Sequence, residues 1–209
     1  MNKKTIIIII IAVIIVAVAV GVFALISLTG GSHSAIDNEP EPEVAGSSNT
    51  LVAYFSWSGN GRQMAELIAE ETGGDLFRIL TDEPYGDDFD STAKRAQSEV
   101  NGGIRPALST HIDKEIMAKY DVIYLGFPIW WYDLPAPVWT FLEEYDLSGK
   151  TIIPFFSHNG SSNGAGSLDR IAELALGATV LKDKALSVRG SSVSGAEEKV
   201  KEWAKSFSN

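Results

Sequence analysis

The hydrophobic positions fall into three regimes along the chain. From Ile6 to Ile26 they run unbroken for 21 residues with no charge among them. From Gly30 to Asn49 they nearly vanish, and from Leu51 onward they return as short bursts separated by amphipathic stretches. As a helix the first run spans roughly 30 Å, the thickness of a bilayer's hydrocarbon core. A cleaved signal peptide, the alternative, usually has a shorter apolar region followed by an A-x-A-like site, and no convincing one follows this run. Residues 1–29 are therefore expected to be a single-pass transmembrane anchor. Lys3 and Lys4 precede it, which keeps them cytoplasmic and places the rest of the chain outside. The segment 30–49, with Glu39-Pro40-Glu41-Pro42-Glu43 and Gly46-Ser47-Ser48, reads as a disordered, partly stiff linker.

Residues 50–209 carry the pattern of a folded domain. Leu51–Phe55, Leu76–Leu80, Val122–Gly126 and Thr151–Phe156 are continuous apolar bursts, as expected for strands covered on both faces. A weaker fifth strand lies near Thr179–Leu181, with Ala185–Val188 as its continuation. Helical spacing marks Gly61–Thr72 (Met64, Leu67 and Ile68 on one face), Ser91–Val100, Pro137–Tyr145, Leu168–Leu176 and Ala196–Phe207. Strands alternating with helices predict an α/β domain, a doubly wound five-stranded parallel sheet with right-handed crossovers. In such sheets ligands sit beyond the carboxyl ends of the strands.

Composition narrows the chemistry. The chain has no cysteine, which excludes disulfides, thiolate metal sites and a cysteine nucleophile. Its formal net charge is −10, which repels nucleic acid and favours basic protein partners. No G-x-S-x-G elbow is present. The acidic stretch Asp82–Asp90 lacks the spacing of a calcium loop and reads as solvated, with Tyr85 near enough to approach the site. His33 and His111 have no evident partner in the sequence.

Three loops follow strand ends. Ser56, Trp57, Ser58, Gly59, Asn60, Gly61 and Arg62 follow the first strand and open a helix. Serine hydroxyls and backbone N–H groups there can cradle an anion. The Gly-Lys-Ser/Thr of a P-loop is missing. After the third strand come Pro128, Ile129, Trp130, Trp131 and Tyr132, fenced by prolines. Adjacent aromatics in a tight turn cannot all be buried and suit a flat heteroaromatic ligand. After the fourth strand, Ser157, His158, Asn159 and Gly160 lead to Gly164 and the next helix. An ordinary turn, a core tryptophan and a surface histidine are the plainer readings of each loop.

With these residues in view, the domain resembles the flavodoxin family. Tyr54-Phe55-Ser56-Trp57-Ser58-Gly59-Asn60 is similar to that family's phosphate loop, Gly126-Phe-Pro-Ile-Trp-Trp131 to the aromatic loop beside its flavin, and Phe156–Gly160 to the loop on the ring's other side. The resemblance implies strand order 2-1-3-4-5, FMN as non-covalent cofactor, and all the loop residues above as its contacts. It also implies electron transfer, with a redox partner protein or a small electron acceptor. Where the family's loop ends in Thr, this chain has Gly61, then Arg62, and Arg62 is expected to compensate the lost hydroxyl. An FMN-dependent NAD(P)H or quinone oxidoreductase is the alternative, and a flavin-free scaffold a third. Quinone-dependent NAD(P)H oxidation separates the first two, and FMN uptake excludes the third.

Overall fold

The central apolar bursts become strands because both faces of each are covered, so nearly every residue in them loses water, whereas the bursts at the sheet's edges stay partly exposed. The computed structural model describes Val44, Gly46, residues 48–160 and residues 162–207. The elements are β1 (Thr50–Tyr54), α1 (Asn60–Thr72), β2 (Asp75–Arg78), α2 (Phe89–Gly102), α3 (Lys114–Met117), β3 (Val122–Pro128), α4 (Ala136–Glu144), β4 (Thr151–His158), α5 (Ala165–Leu174), β5 (Thr179–Val180), β6 (Leu186–Arg189) and α6 (Glu197–Lys205). The expected transmembrane anchor and most of the linker lie outside the described residues. Among the described residues no helix is long and apolar enough to cross a membrane.

Among the described residues the strands pair in parallel throughout, in the order β2-β1-β3-β4-β5, with β6 also on β4. This is the expected order, with the fifth strand split in two. Pro154 explains the split. The Ile152 carbonyl accepts from Leu181 N at 2.9 Å, so alternate residues of β4 face the fifth strand. Pro154 is the next of these and has no N–H to give. Pairing with β5 stops at Ile152, a 3₁₀ turn follows at Lys182–Lys184, and pairing resumes with Phe155 opposite Leu186.

Alternation along β1 sends Leu51 and Ala53 to one face, where α3, α4 and α5 contribute Met117, Phe141 and Ile171. Val52 and Tyr54 go to the other, where α1 and α6 contribute Met64, Ile68, Val200 and Ala204. Phe127, Phe141, Phe155 and Phe156 are fully buried, each stabilising the fold by roughly 1.5–3 kcal/mol.

The fold begins before the first apolar burst. Val44 packs against the core, and the Gly46 N–H donates to the Tyr120 hydroxyl, which itself donates to Asp75 Oδ2 at 2.7 Å. The Asn49 carbonyl accepts from Asp121 N (2.8 Å) and Val122 N. The last residues of the expected linker are thus fastened beside the amino ends of β1, β2 and β3.

Candidate functional site: a cleft at the carboxyl ends of the strands

The loops after β1, β3 and β4 meet at one edge of the sheet, around a cavity of about 440 Å³. That volume lies in the usual range for small-molecule sites, roughly 300–1,000 Å³.

One end of the cleft is built for an anion. Ser58 and Asn60 line it, with Asn60 Nδ2 donating to Ser58 Oγ at 3.2 Å. Gly59 takes a left-handed conformation (φ 84°) to turn the chain into α1, and no side chain caps that helix. Its first N–H groups therefore stay open to a ligand. Below them Ser56 is buried, and its Oγ has no hydrogen-bond partner among the described residues. Gly61 is packed so tightly that a Cβ would sit 3.1 Å from the Phe55 carbonyl oxygen and 3.2 Å from Ser56 Oγ. Arg62, expected to reach the anion, instead pairs with Glu66 one turn along α1 (Nε to Oε1, 2.7 Å) and is not among the cleft's lining residues. The i,i+4 spacing favours that pair over a reach back across the helix start.

The aromatic loop is a tight hairpin. Trp130 and Asp133 exchange backbone hydrogen bonds (Trp130 N to Asp133 O, 3.2 Å; Asp133 N to Trp130 O, 2.9 Å). The two residues between them, Trp131 (φ 52°) and Tyr132 (φ 65°), are both left-handed. A turn of this form normally takes Asn-Gly, and bulky residues there store about 1–3 kcal/mol of strain each. The surroundings hold it. Arg170 Nη2 pairs with Asp133 Oδ2 at 3.1 Å, and Asp133 Oδ1 accepts from Leu134 N. A Cβ on Gly166 would lie 2.6 Å from the Tyr132 carbonyl, so α5 sits directly against the turn. Trp130 and Trp131 line the cleft together with Pro128 and Ile129. Tyr132 is 64% exposed and is not part of the lining.

The third loop supplies Ser157, His158 and Asn159 to the lining. His158 Nδ1 accepts from the Gly160 N–H at 2.9 Å, which leaves Nε2 as the free ring nitrogen. Gly160 and Gly164, also expected to touch the ligand, are not among the lining residues and are closely packed. The Arg189 guanidinium lies over Gly160, and the Phe156 ring would meet a Cβ on Gly164 at 2.5 Å.

Two walls were not legible in the sequence. One is α2, through Phe89, Thr92, Ala93 and Ala96. Asp88 caps it by accepting from Ser91 N at 2.8 Å, which holds the Asp88 carboxyl below its usual range. Trp57 Nε1 donates to the Gly86 carbonyl and Trp131 Nε1 to the Ala93 carbonyl, both at 2.9 Å, so indoles from two loops pin its start. Tyr85 stands behind Trp130, ring centroids 5.1 Å apart, and its hydroxyl donates to the buried Glu99. Burial, then that bond, pushes the phenol far above its ordinary pKa. The other wall is Gly190 and Ser191, directly after β6.

A model of the flavodoxin family matches residues 49–207. The chain belongs to the flavodoxin family. Solved structures similar to this flavodoxin include a protein assigned as a flavoprotein from Bacteroides uniformis ATCC 8492, at 34% identity. It aligns over 75% of this chain and 97% of its own, with a TM-score of 0.62. A second, so assigned from Bacteroides eggerthii DSM 20697, is 31% identical over 72% of this chain and 96% of its own, TM-score 0.57. A flavoprotein from Lactobacillus acidophilus NCFM, solved in complex with FMN, is 27% identical over 75% of this chain and 98% of its own, TM-score 0.56. No curated protein matches the chain.

The donor set of this flavodoxin suits a flat ring carried on a polar chain that ends in a phosphate. A buried hydroxyl without a partner among the described residues and uncapped N–H groups form one end, and indole and proline surfaces form the other. No Lys, Arg, Asp or Glu is among the described lining residues, and His158 is the titratable side chain there. What the site offers an anion is therefore a set of neutral donors, hydroxyl, amide and backbone N–H groups.

Proposed function

We propose that this chain is an FMN-binding electron-transfer protein, tethered to the outer face of the cell membrane by residues 1–29. The observation that carries the cofactor assignment is the buried Ser56 hydroxyl, with no partner among the described residues, beneath the uncapped start of α1. The FMN complex of the Lactobacillus acidophilus relative supports the same cofactor. When bound, FMN takes up and releases electrons one or two at a time.

The chain's own residues do the rest. Ser56, Ser58 and Asn60 with the first N–H groups of α1 hold the phosphate. Trp130 and Trp131 form the flat surface for the ring, and Trp57 and α2 close the side. The apolar wall and the net charge of −10 disfavour added negative charge on the ring, which lowers the potential of the second electron. The same charge steers a basic redox protein toward the domain. The uncharged run Ile6–Ile26 behind Lys3 and Lys4 supports the tether and its orientation.

A reductase acting on a quinone is the second reading. It is favoured by Phe89 (67% exposed), Trp131 (46%) and Tyr132 (64%), which offer a flat acceptor an apolar landing beside the cleft. The test uses the full chain purified in detergent. A visible flavin spectrum, or saturable uptake of added FMN, is expected. Colourless protein that takes up no FMN ends the proposal, and rapid NAD(P)H oxidation with a soluble quinone selects the reductase.

A further inference from the structure

We propose that Gly190 and Ser191 form a fourth cofactor-binding segment, one that holds the polyhydroxyl ribityl chain of FMN. The inference rests on the FMN reading above and concerns residues outside the three expected loops. Both residues line the cleft. Their position along it follows from two contacts. A Cβ on Gly190 would lie 2.9 Å from the Asn60 side-chain nitrogen and 3.8 Å from the His158 carbonyl oxygen. Asn60 belongs to the anion end and His158 to the loop flanking the aromatic end. The segment therefore borders the stretch of cleft between phosphate and ring, where the linking chain of the cofactor runs.

Its chemistry matches that chain. Ribityl hydroxyls donate and accept, as the Ser191 hydroxyl does, and Gly190 leaves its backbone groups uncovered by a side chain. The segment is also held in place. It opens the 3₁₀ turn Gly190–Gly195, whose Val193 is buried in the cluster under α1 and α6. On its other side Arg189 Nη2 donates to the Asn159 carbonyl at 3.3 Å, tying the end of β6 to the loop after β4. A hydroxyl carried on a backbone anchored from both sides leaves only its own rotamer to order when a ligand arrives.

The test compares three flavins on the full chain and on Ser191→Ala, by quenching of flavin fluorescence: FMN, riboflavin (no phosphate) and lumiflavin (no ribityl chain). Loss of one neutral hydrogen bond, about 0.5–1.5 kcal/mol, weakens binding roughly two- to twelvefold. That loss is expected equally for FMN and riboflavin, with lumiflavin unchanged. A loss confined to FMN, a loss shared by all three, or no loss overturns the assignment. Gly190→Ala, which drives a methyl group into Asn60, is expected to weaken FMN more than riboflavin at unchanged melting temperature, and wild-type FMN affinity in it also counts against the placement. A wild-type chain that binds no FMN refutes the cofactor reading itself, whereas wild-type binding with an unaffected Ser191→Ala refutes this inference alone.

Discussion

Ser56→Ala should move stability and affinity in opposite directions. Ser56 is 9% exposed, and its hydroxyl has no partner among the described residues. A buried polar group left unsatisfied costs about 1–3 kcal/mol. Removing the oxygen while keeping the Cβ therefore stabilises the FMN-free protein by about 1 kcal/mol. For a domain of this size that raises the melting temperature by roughly 2–4 °C. With FMN the balance reverses. A hydrogen bond to a charged group is worth about 1.5–3 kcal/mol, so its loss weakens binding roughly 10- to 150-fold. Thermal melting without cofactor and a fluorescence titration with FMN read the two effects separately. A variant that melts lower than wild type and binds FMN with unchanged affinity would show that the hydroxyl serves packing, and the reasoning would fail.

Other perturbations probe neighbouring parts of the site. Arg62→Ala removes a partner of Glu66 and no lining residue, so FMN affinity should change less than about twofold and stability by less than about 1 kcal/mol; a tenfold loss in titration would place the guanidinium on the phosphate after all. Gly166→Ala puts a methyl 2.6 Å from the Tyr132 carbonyl, so the aromatic turn must shift, lowering stability by about 1–3 kcal/mol and weakening FMN; unchanged melting and affinity would deny that contact. His111 Nδ1 lies 2.6 Å from Glu144 Oε1, and this bond raises its pKa above 6.5. The stabilisation is fully present below the unfolded pKa and is lost as pH rises through the folded one. The melting-temperature gap between wild type and His111→Gln should thus shrink from about pH 6 to about pH 9, and a gap that widens would reverse the assignment.

Much of the fold was legible because two-sided burial writes itself into sequence as unbroken apolar bursts. The strand order came with the family resemblance, and Thr179–Leu181 with Ala185–Val188 read as one strand and its continuation, which the sheet divides in two. The linker's end was not legible. Gly46-Ser47-Ser48 has the composition of a tether, yet the Gly46 N–H finds a hydroxyl that only tertiary structure brings near. The helix α2 was visible, but its role as a wall was not, because periodicity says nothing of where a crossover lands. Glycines were the least readable. Gly160 and Gly164 sit in a ligand-like loop and pack against Arg189 and Phe156, whereas Gly190, outside all three expected loops, borders the cleft. Arg62 shows the same limit, since Glu66, four residues on and passed over in the sequence, pairs with it.

The fastening of Val44, Gly46 and Asn49 beside the amino ends of β1, β2 and β3 has a mechanical meaning. The cleft opens at the opposite ends of the same strands, and the seven residues of β3 alone put about 20 Å between the two. Load applied through the preceding chain is delivered to the floor of the sheet, where three strands share it, and not to the loops that hold the ligand. A domain captured by that end on a bead or an electrode keeps its mouth facing solution. Its cofactor exchange and its electron traffic should run as they do in free protein, whereas capture through residues of the 130–133 turn should silence both.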